Sequence, residues 1–196
     1  PFMGGGTTIV ETLAAGRRAI GIDINGLAHF VTRVKTTPLS ERDVKEIEIW
    51  LQALGAIEGP IATDAGSVPD SRTRNMPEDT RRLFACMVES LRNVRFPRQR
   101  NFLSCALLRV GQWALDGREG VPTAREVVDK LREEACKMME GMGELVNVAR
   151  DAGIKKNKMT GCRALFQGSL SDPSISQEIL RYEWRPKLVL TSPPYP

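Results

Sequence analysis

The stretch that decides the fold is Pro1-Phe2-Met3-Gly4-Gly5-Gly6-Thr7-Thr8-Ile9-Val10-Glu11, followed across a Gly16-Arg17-Arg18 turn by Ala19-Ile20-Gly21-Ile22-Asp23-Ile24. Three consecutive glycines let the backbone turn tightly and approach a ligand, and the amphipathic helix of about ten residues that follows presents its first amides as donors. The second piece is a short apolar run ending in an acid, the pattern of a buried parallel strand with a carboxylate at its C-terminal edge. An acid about 20 residues after a glycine loop is placed to accept hydrogen bonds from ribose hydroxyls. The same residues also read as a plain tight turn with a surface acid.

Working outward, Pro186-Lys187-Leu188-Val189-Leu190-Thr191 reads as another buried strand, halted by Ser192-Pro193-Pro194-Tyr195-Pro196. Proline has no amide for the ladder, so the tetrapeptide Ser192 to Tyr195 becomes a rigid loop on the same sheet edge as the glycine loop and Asp23. Between them, Arg163 to Gln167 is expected to form a strand ending at Gly168-Ser169.

Together the two ends resemble the DNA methyltransferases that modify the exocyclic amine of cytosine or adenine. The family's glycine-loop motif, Asp-Pro-Phe-x-Gly-x-Gly-Thr-Thr, is matched from Pro1 to Thr8 without its leading aspartate, and its Ser/Asp-Pro-Pro-Tyr motif is matched by Ser192 to Tyr195. The likeness covers residues 1 to 35 and 160 to 196. It implies an α/β fold of the class I, Rossmann-like methyltransferase type, incomplete, with the first strand before Pro1 and the last strands beyond Pro196. A chain cut this way is expected to be marginally stable and inactive alone, because its strand edges are unpaired.

The resemblance implies S-adenosyl-L-methionine as cofactor, held by Phe2, Gly4 and Gly6 in the loop, Thr7 and Thr8 at the helix start, and Asp23 on the ribose. Relatives often carry an aspartate near the adenine amine after the third strand; Ser169 or Asp172 stands nearest here. Catalysis falls to Ser192, Pro193, Pro194 and Tyr195. An exocyclic amine is a poor nucleophile because its lone pair is conjugated into the ring, so acceptors at its two hydrogens must polarise it. By resemblance, the Ser192 hydroxyl and Pro193 carbonyl accept those hydrogens, and Tyr195 stacks on a base swung out of the DNA helix. Direct in-line transfer then depends on orientation and electrostatic placement. Serine at the first motif position leans toward cytosine N4 over adenine N6. Methylation at carbon 5 needs a cysteine nucleophile, usually preceded by proline, and none of the four cysteines follows a proline. An RNA base-amine methyltransferase, and a catalytically dead scaffold carrying a partner-binding helical module, remain as alternatives.

Composition agrees with a folded protein. A net charge of +4 is a mild excess, compatible with a polyanionic partner. Cys86, Cys105, Cys136 and Cys162 form no C-x-x-C pair and have a single histidine to join them, so neither a metal site nor a disulfide framework is expected; each adjoins apolar residues and reads as a buried thiol. No apolar run reaches the roughly 20 residues of a membrane span, and no secretory signal opens the chain. These features point to no membrane partner and to the cytoplasm, and the resemblance to a bacterial or archaeal nucleoid and a restriction-modification system.

Residues 1–39 and 158–196 are read as the methyltransferase part and 40–157 as an inserted helical subdomain, since a parallel crossover needs only one helix. Ser40 caps a helix with Val44, Ile47, Trp50, Leu51 and Leu54 on one face, ending near Gly55; Asn75 and Pro77 start another carrying Leu83, Phe84, Met87, Val88 and Leu91. A third runs from about Arg98 to Leu115, and a fourth opens with the capping box Thr123-x-x-Glu126 and stops at Gly153. Trp50 and Trp113 read as core, and His29 as a packed or capping residue of a helix over Leu27 to Val34. Two basic clusters, Arg95, Arg98 and Arg100 around Phe96-Pro97 and Lys155, Lys156 and Lys158, read either as phosphate contacts or as solvated charge.

Overall fold

The computed structural model describes residues 2–55, 78–115 and 122–191. The chain divides into two compact units, one formed by Pro1–Pro38 with Glu140–Pro196, the other by Leu39–Met139.

The first unit holds a parallel pair of strands, β1 (Ala19–Asp23) and β2 (Arg163–Gln167), in register from Ala19 opposite Arg163 to Asp23 opposite Gln167. Helix α1 (Thr7–Ala14) packs Ile9 and Leu13 into a core with Ala19, Leu145, Ala149, Ile154 and Met159. It ends at Gly16, whose φ of +70° suits a residue without Cβ; the Gly16 and Arg17 amides turn back to the Leu13 and Thr12 carbonyls. Asn25 caps α2 (Gly26–Lys35) by accepting from the Leu27 amide at 2.9 Å, and Arg33 and Lys35 complement the dipole in its last turn. His29 is half-buried on α2, one ring nitrogen 3.4 Å from the Leu165 carbonyl of β2, as a packed residue should be. Arg163 ties β2 to the end of α2, donating to the Thr36 carbonyl (3.2 Å) and the Thr37 hydroxyl (2.8 Å).

The second unit is helical: α3 (Glu41–Gly55), α4 (Glu78–Ser90), a 3-10 turn at Leu91–Asn93, α5 (Pro97–Leu115), and the first part of α6 (Ala124–Asp151). Ile47, Leu51 and Leu54 are buried on α3, while Val44 and Trp50 are half-buried. On α4, Leu83 and Met87 are buried but Val88 is exposed; the expected start at Asn75 and Pro77 lies outside the described residues. The capping box of α6 forms as its spacing predicts: the Glu126 amide donates to the Thr123 hydroxyl (3.3 Å) and the Thr123 amide to the Glu126 carboxylate (2.7 Å). Its far end, which belongs to the first unit, stops at Gly153, where φ is +96° and the Ile154 amide reaches back to the Ala149 carbonyl.

Two expectations fail. Pro186 to Thr191 is not a buried strand: Leu188 is 72% exposed, and no described strand pairs with the segment. Apolar composition alone does not make a strand, because its amides and carbonyls need ladder partners. Nor are all four thiols buried. Cys105 is, Cys86 and Cys162 are half-buried, and Cys136 is exposed on α6, where its sequence neighbour Ala135 takes the inward face.

After Gln167 the chain turns at Gly168 and enters α7 (Pro173–Leu180), capped by Asp172, which accepts from the Ser174 amide at 2.9 Å. Beyond α7, Tyr182 packs edge-on between Phe166 of β2 and Trp184.

Candidate functional site

The glycine loop lies against the edge of β1 opposite β2. Consecutive carbonyls of a strand point to opposite edges. The Asp23 carbonyl faces β2 and accepts from the Gly168 amide (2.9 Å), while the Ile22 carbonyl faces the other way and accepts from the Met3 amide (3.1 Å). Met3 also packs over Gly21, where a Cβ would lie 2.5 Å from its sulfur. The chain then reverses in a tight turn, the Gly6 amide donating to the Met3 carbonyl at 3.0 Å, with φ of +50° at Gly4. Phe2, at φ +54°, is exposed.

Gly6 is the N-cap of α1, left-handed at φ +79°, and offers no side chain to the first amides of the helix. Thr7 and Thr8 are exposed beside it. The result is a helix start without a side-chain cap, joined through the loop to the C-terminal end of β1.

Asp23 joins this loop directly. Its carboxylate accepts from the Gly4 amide at 2.9 Å through one oxygen and from the Asn25 amide at 2.9 Å through the other. The sequence expectation that loop and acid meet at one edge therefore has a definite geometry, one hydrogen bond across 19 residues. A carboxylate offers about four lone-pair directions, so each oxygen keeps acceptor capacity for a further donor.

Two residues of α2 that the sequence did not single out hold the loop from behind. Thr32 donates its hydroxyl to the Gly4 carbonyl (3.2 Å), and Lys35 donates to the Gly5 carbonyl (2.9 Å). Thr32 is fully buried and lies so close to Gly6 that a Cβ there would sit 2.4 Å from its hydroxyl oxygen. With both carbonyls engaged by α2, the Gly4 position stays open: a Cβ built there meets nothing within 4 Å.

Gln167 stands opposite Asp23 in the register and packs over the start of α2, where a Cβ on Gly26 would lie 2.9 Å from its amide nitrogen. Asp172 is committed to capping α7, and the hydrogen bonds from Ser174 hold its carboxyl below the usual aspartate range. The Ser169 hydroxyl accepts from the Ser171 amide at 3.2 Å. Ser192, Pro193, Pro194 and Tyr195 lie outside the described residues. No group of three or more histidine, cysteine or acidic side chains among the described residues could hold a metal ion, and no described helix is long and apolar enough to cross a membrane.

The chain is similar to a protein of Kocuria varians named type II methyltransferase M.MvaI, with 51% identity over 58 residues. The matched stretch takes in 28% of this chain and 13% of that protein's length. No protein-family model matches the chain, and no solved structure matches it.

Proposed function

We propose that this chain is part of a DNA methyltransferase that transfers a methyl group from S-adenosyl-L-methionine to the exocyclic amine of a base, cytosine N4 ahead of adenine N6. The observation that carries the proposal is the hydrogen bond between the Gly4 amide and the Asp23 carboxylate, which couples glycine loop and acid at one strand edge. The local likeness to a type II methyltransferase supports the reaction class.

The residues at this edge fit such a cofactor. The loop keeps open space at Gly4, the start of α1 has no side-chain cap, and Asp23 retains acceptor capacity for ribose hydroxyls. Phe2 is exposed beside the loop and offers an aromatic surface. When bound, the cofactor supplies a methyl group on a sulfonium, already activated for displacement. The chain's own work is binding and orientation: Thr32 and Lys35 fix the loop carbonyls, and the Gly4 amide fixes Asp23, so that loop and acid are held together at the edge where the ligand would sit.

On the substrate side, the Ser192 hydroxyl and Pro193 carbonyl take the two hydrogens of the amine and Tyr195 stacks on the flipped base, with Pro194 between them in the motif. The serine at position 192 is the basis for preferring cytosine.

The test is to express the gene that encodes this chain in a host lacking amino-methylated DNA, digest the DNA to nucleosides and analyse them by mass spectrometry. N4-methylcytosine is the expected product. N6-methyladenine would keep the reaction class and overturn the base assignment, while methylated RNA bases over unmodified DNA would overturn the DNA substrate.

A further inference from the structure

The second unit carries a group of arginines held in place by the fold without a carboxylate partner among the described residues. Arg42, in the first turn of α3, and Arg95, just before α5, both rest on the Phe96 ring, their guanidinium carbons 5.5 and 5.2 Å from its centroid. Arg100 reaches back from α5 to the Val94 carbonyl at 2.9 Å, which pins a third guanidinium to the backbone of the residue before Arg95. All three are exposed, and among the described residues none has a carboxylate within ion-pairing distance.

The neighbouring Arg98 behaves differently. It pairs with Asp43 at 3.2 Å, and that carboxylate is further filled by Ser40 and Gln99, so it leaves nothing for the other three. The helix dipole does not favour Arg100 either. The start of a helix favours acids, yet the first turn of α5 has none and holds Arg98 and Arg100 instead.

Phe96 also sets the geometry. Two guanidiniums are held on one ring, and stacking orders side chains that would otherwise lose freedom on binding. Arginine suits phosphate oxygens because its planar donors engage them in pairs.

We propose that Arg42, Arg95 and Arg100, ordered around Phe96, form a surface that grips the sugar-phosphate backbone of duplex DNA. The choice of DNA among polyanions rests on the methyltransferase reading. The contacts are to phosphates, so they position the duplex and do not read its sequence.

The experiment measures binding of the whole protein expressed from the gene that encodes this chain to a fluorescein-labelled DNA duplex, by anisotropy between 50 and 200 mM salt. Replacing the three arginines by glutamine is expected to weaken binding at least about tenfold at 100 mM salt and to lower the slope of log K against log salt by about 3, near one per phosphate contact. The triple Arg→Lys variant keeps the charge and is expected to retain the slope, which a folding defect would not. Arg82, Arg125 and Arg150, each already paired with a carboxylate, supply the control; their triple Arg→Gln variant is expected to bind like the parent.

An unchanged slope in the first variant, an equal loss in the control, or no salt-dependent binding by the parent protein would overturn the proposal. Tighter binding of a matched RNA duplex would overturn the choice of DNA. Titration of S-adenosylmethionine into the same proteins separates the two readings: cofactor binding without the arginine effect sinks this surface alone, and the arginine effect without cofactor binding sinks the methyltransferase reading alone.

Discussion

Gly6→Ala tests the geometry of the glycine loop most directly, because two independent penalties meet there and a neighbouring glycine carries only one of them. At Gly6 the φ of +79° costs an L-residue about 1–2 kcal/mol. The new Cβ also meets the Thr32 hydroxyl at 2.4 Å, its methyl at 2.6 Å and its Cβ at 2.8 Å. Thr32 cannot swing aside cheaply: it is buried, stiff at χ1, and bonded to the Gly4 carbonyl. Overpacking of this kind costs typically about 1–3 kcal/mol, so the variant should lose roughly 3 kcal/mol in all. Gly4→Ala supplies the comparison, since φ there is +50° but no atom lies within 4 Å of the added carbon. Its loss should stay near 1–2 kcal/mol, from backbone strain alone. With a urea slope near 2 kcal/mol/M, Gly6→Ala should lower the denaturation midpoint by about 1 M more than Gly4→Ala, at unchanged slope. Equal midpoints for the two variants would refute the packing of α2 against the loop.

Two further outcomes follow from individual carboxylates. Asp23→Ala removes the acceptor expected to hold ribose; hydrogen bonds to a charged group contribute roughly 1.5–3 kcal/mol, so calorimetric affinity for S-adenosylmethionine should fall at least about tenfold, and an unchanged Kd would remove Asp23 from the cofactor site. Asp43 titrates below its ordinary 3.8: burial pushes it up, but hydrogen bonds from the Ser40 hydroxyl and amide and from Gln99, with the Arg98 charge, outweigh that. A depressed folded-state value means stability that is full above 3.8 and lost as pH falls through the folded value. Urea midpoints taken from pH 5 downward should therefore drop more steeply for the parent than for Asp43→Asn, and parallel curves would count against the assignment.

Features set by local chemistry were legible in the sequence. The Thr123–Glu126 capping box, the Gly16 and Gly153 stops and the apolar run of β1 each depend on residues within a few positions of one another. The glycine loop and Asp23 were also legible as a pair, because a strand and its edge fix where the two must meet. The segment Leu188 to Leu190 was misread because apolarity cannot supply the ladder partner a strand requires. Cys136 was misread because flanking residues in sequence occupy different faces of a helix. Thr32 and Lys35 carried no signal at all: a threonine and a lysine three apart on an amphipathic helix look like ordinary surface until the loop they hold is placed beside them.

The pairing of β1 with β2 closes a crossover that contains the whole Leu39–Met139 unit. That connection makes the sheet a late arrival in folding: helices built from nearby contacts form fast, whereas a ladder between distant strands waits on a diffusive search. Yet closure entropy grows only logarithmically, by about 0.6 kcal/mol for each doubling of the loop. The length of the crossover is thus nearly invisible to the stability of the strand pair. Evolution can lengthen, shorten or recharge the helices between Asp23 and Arg163 while the ladder keeps its register, which makes this segment the natural place for new contacts to be tried.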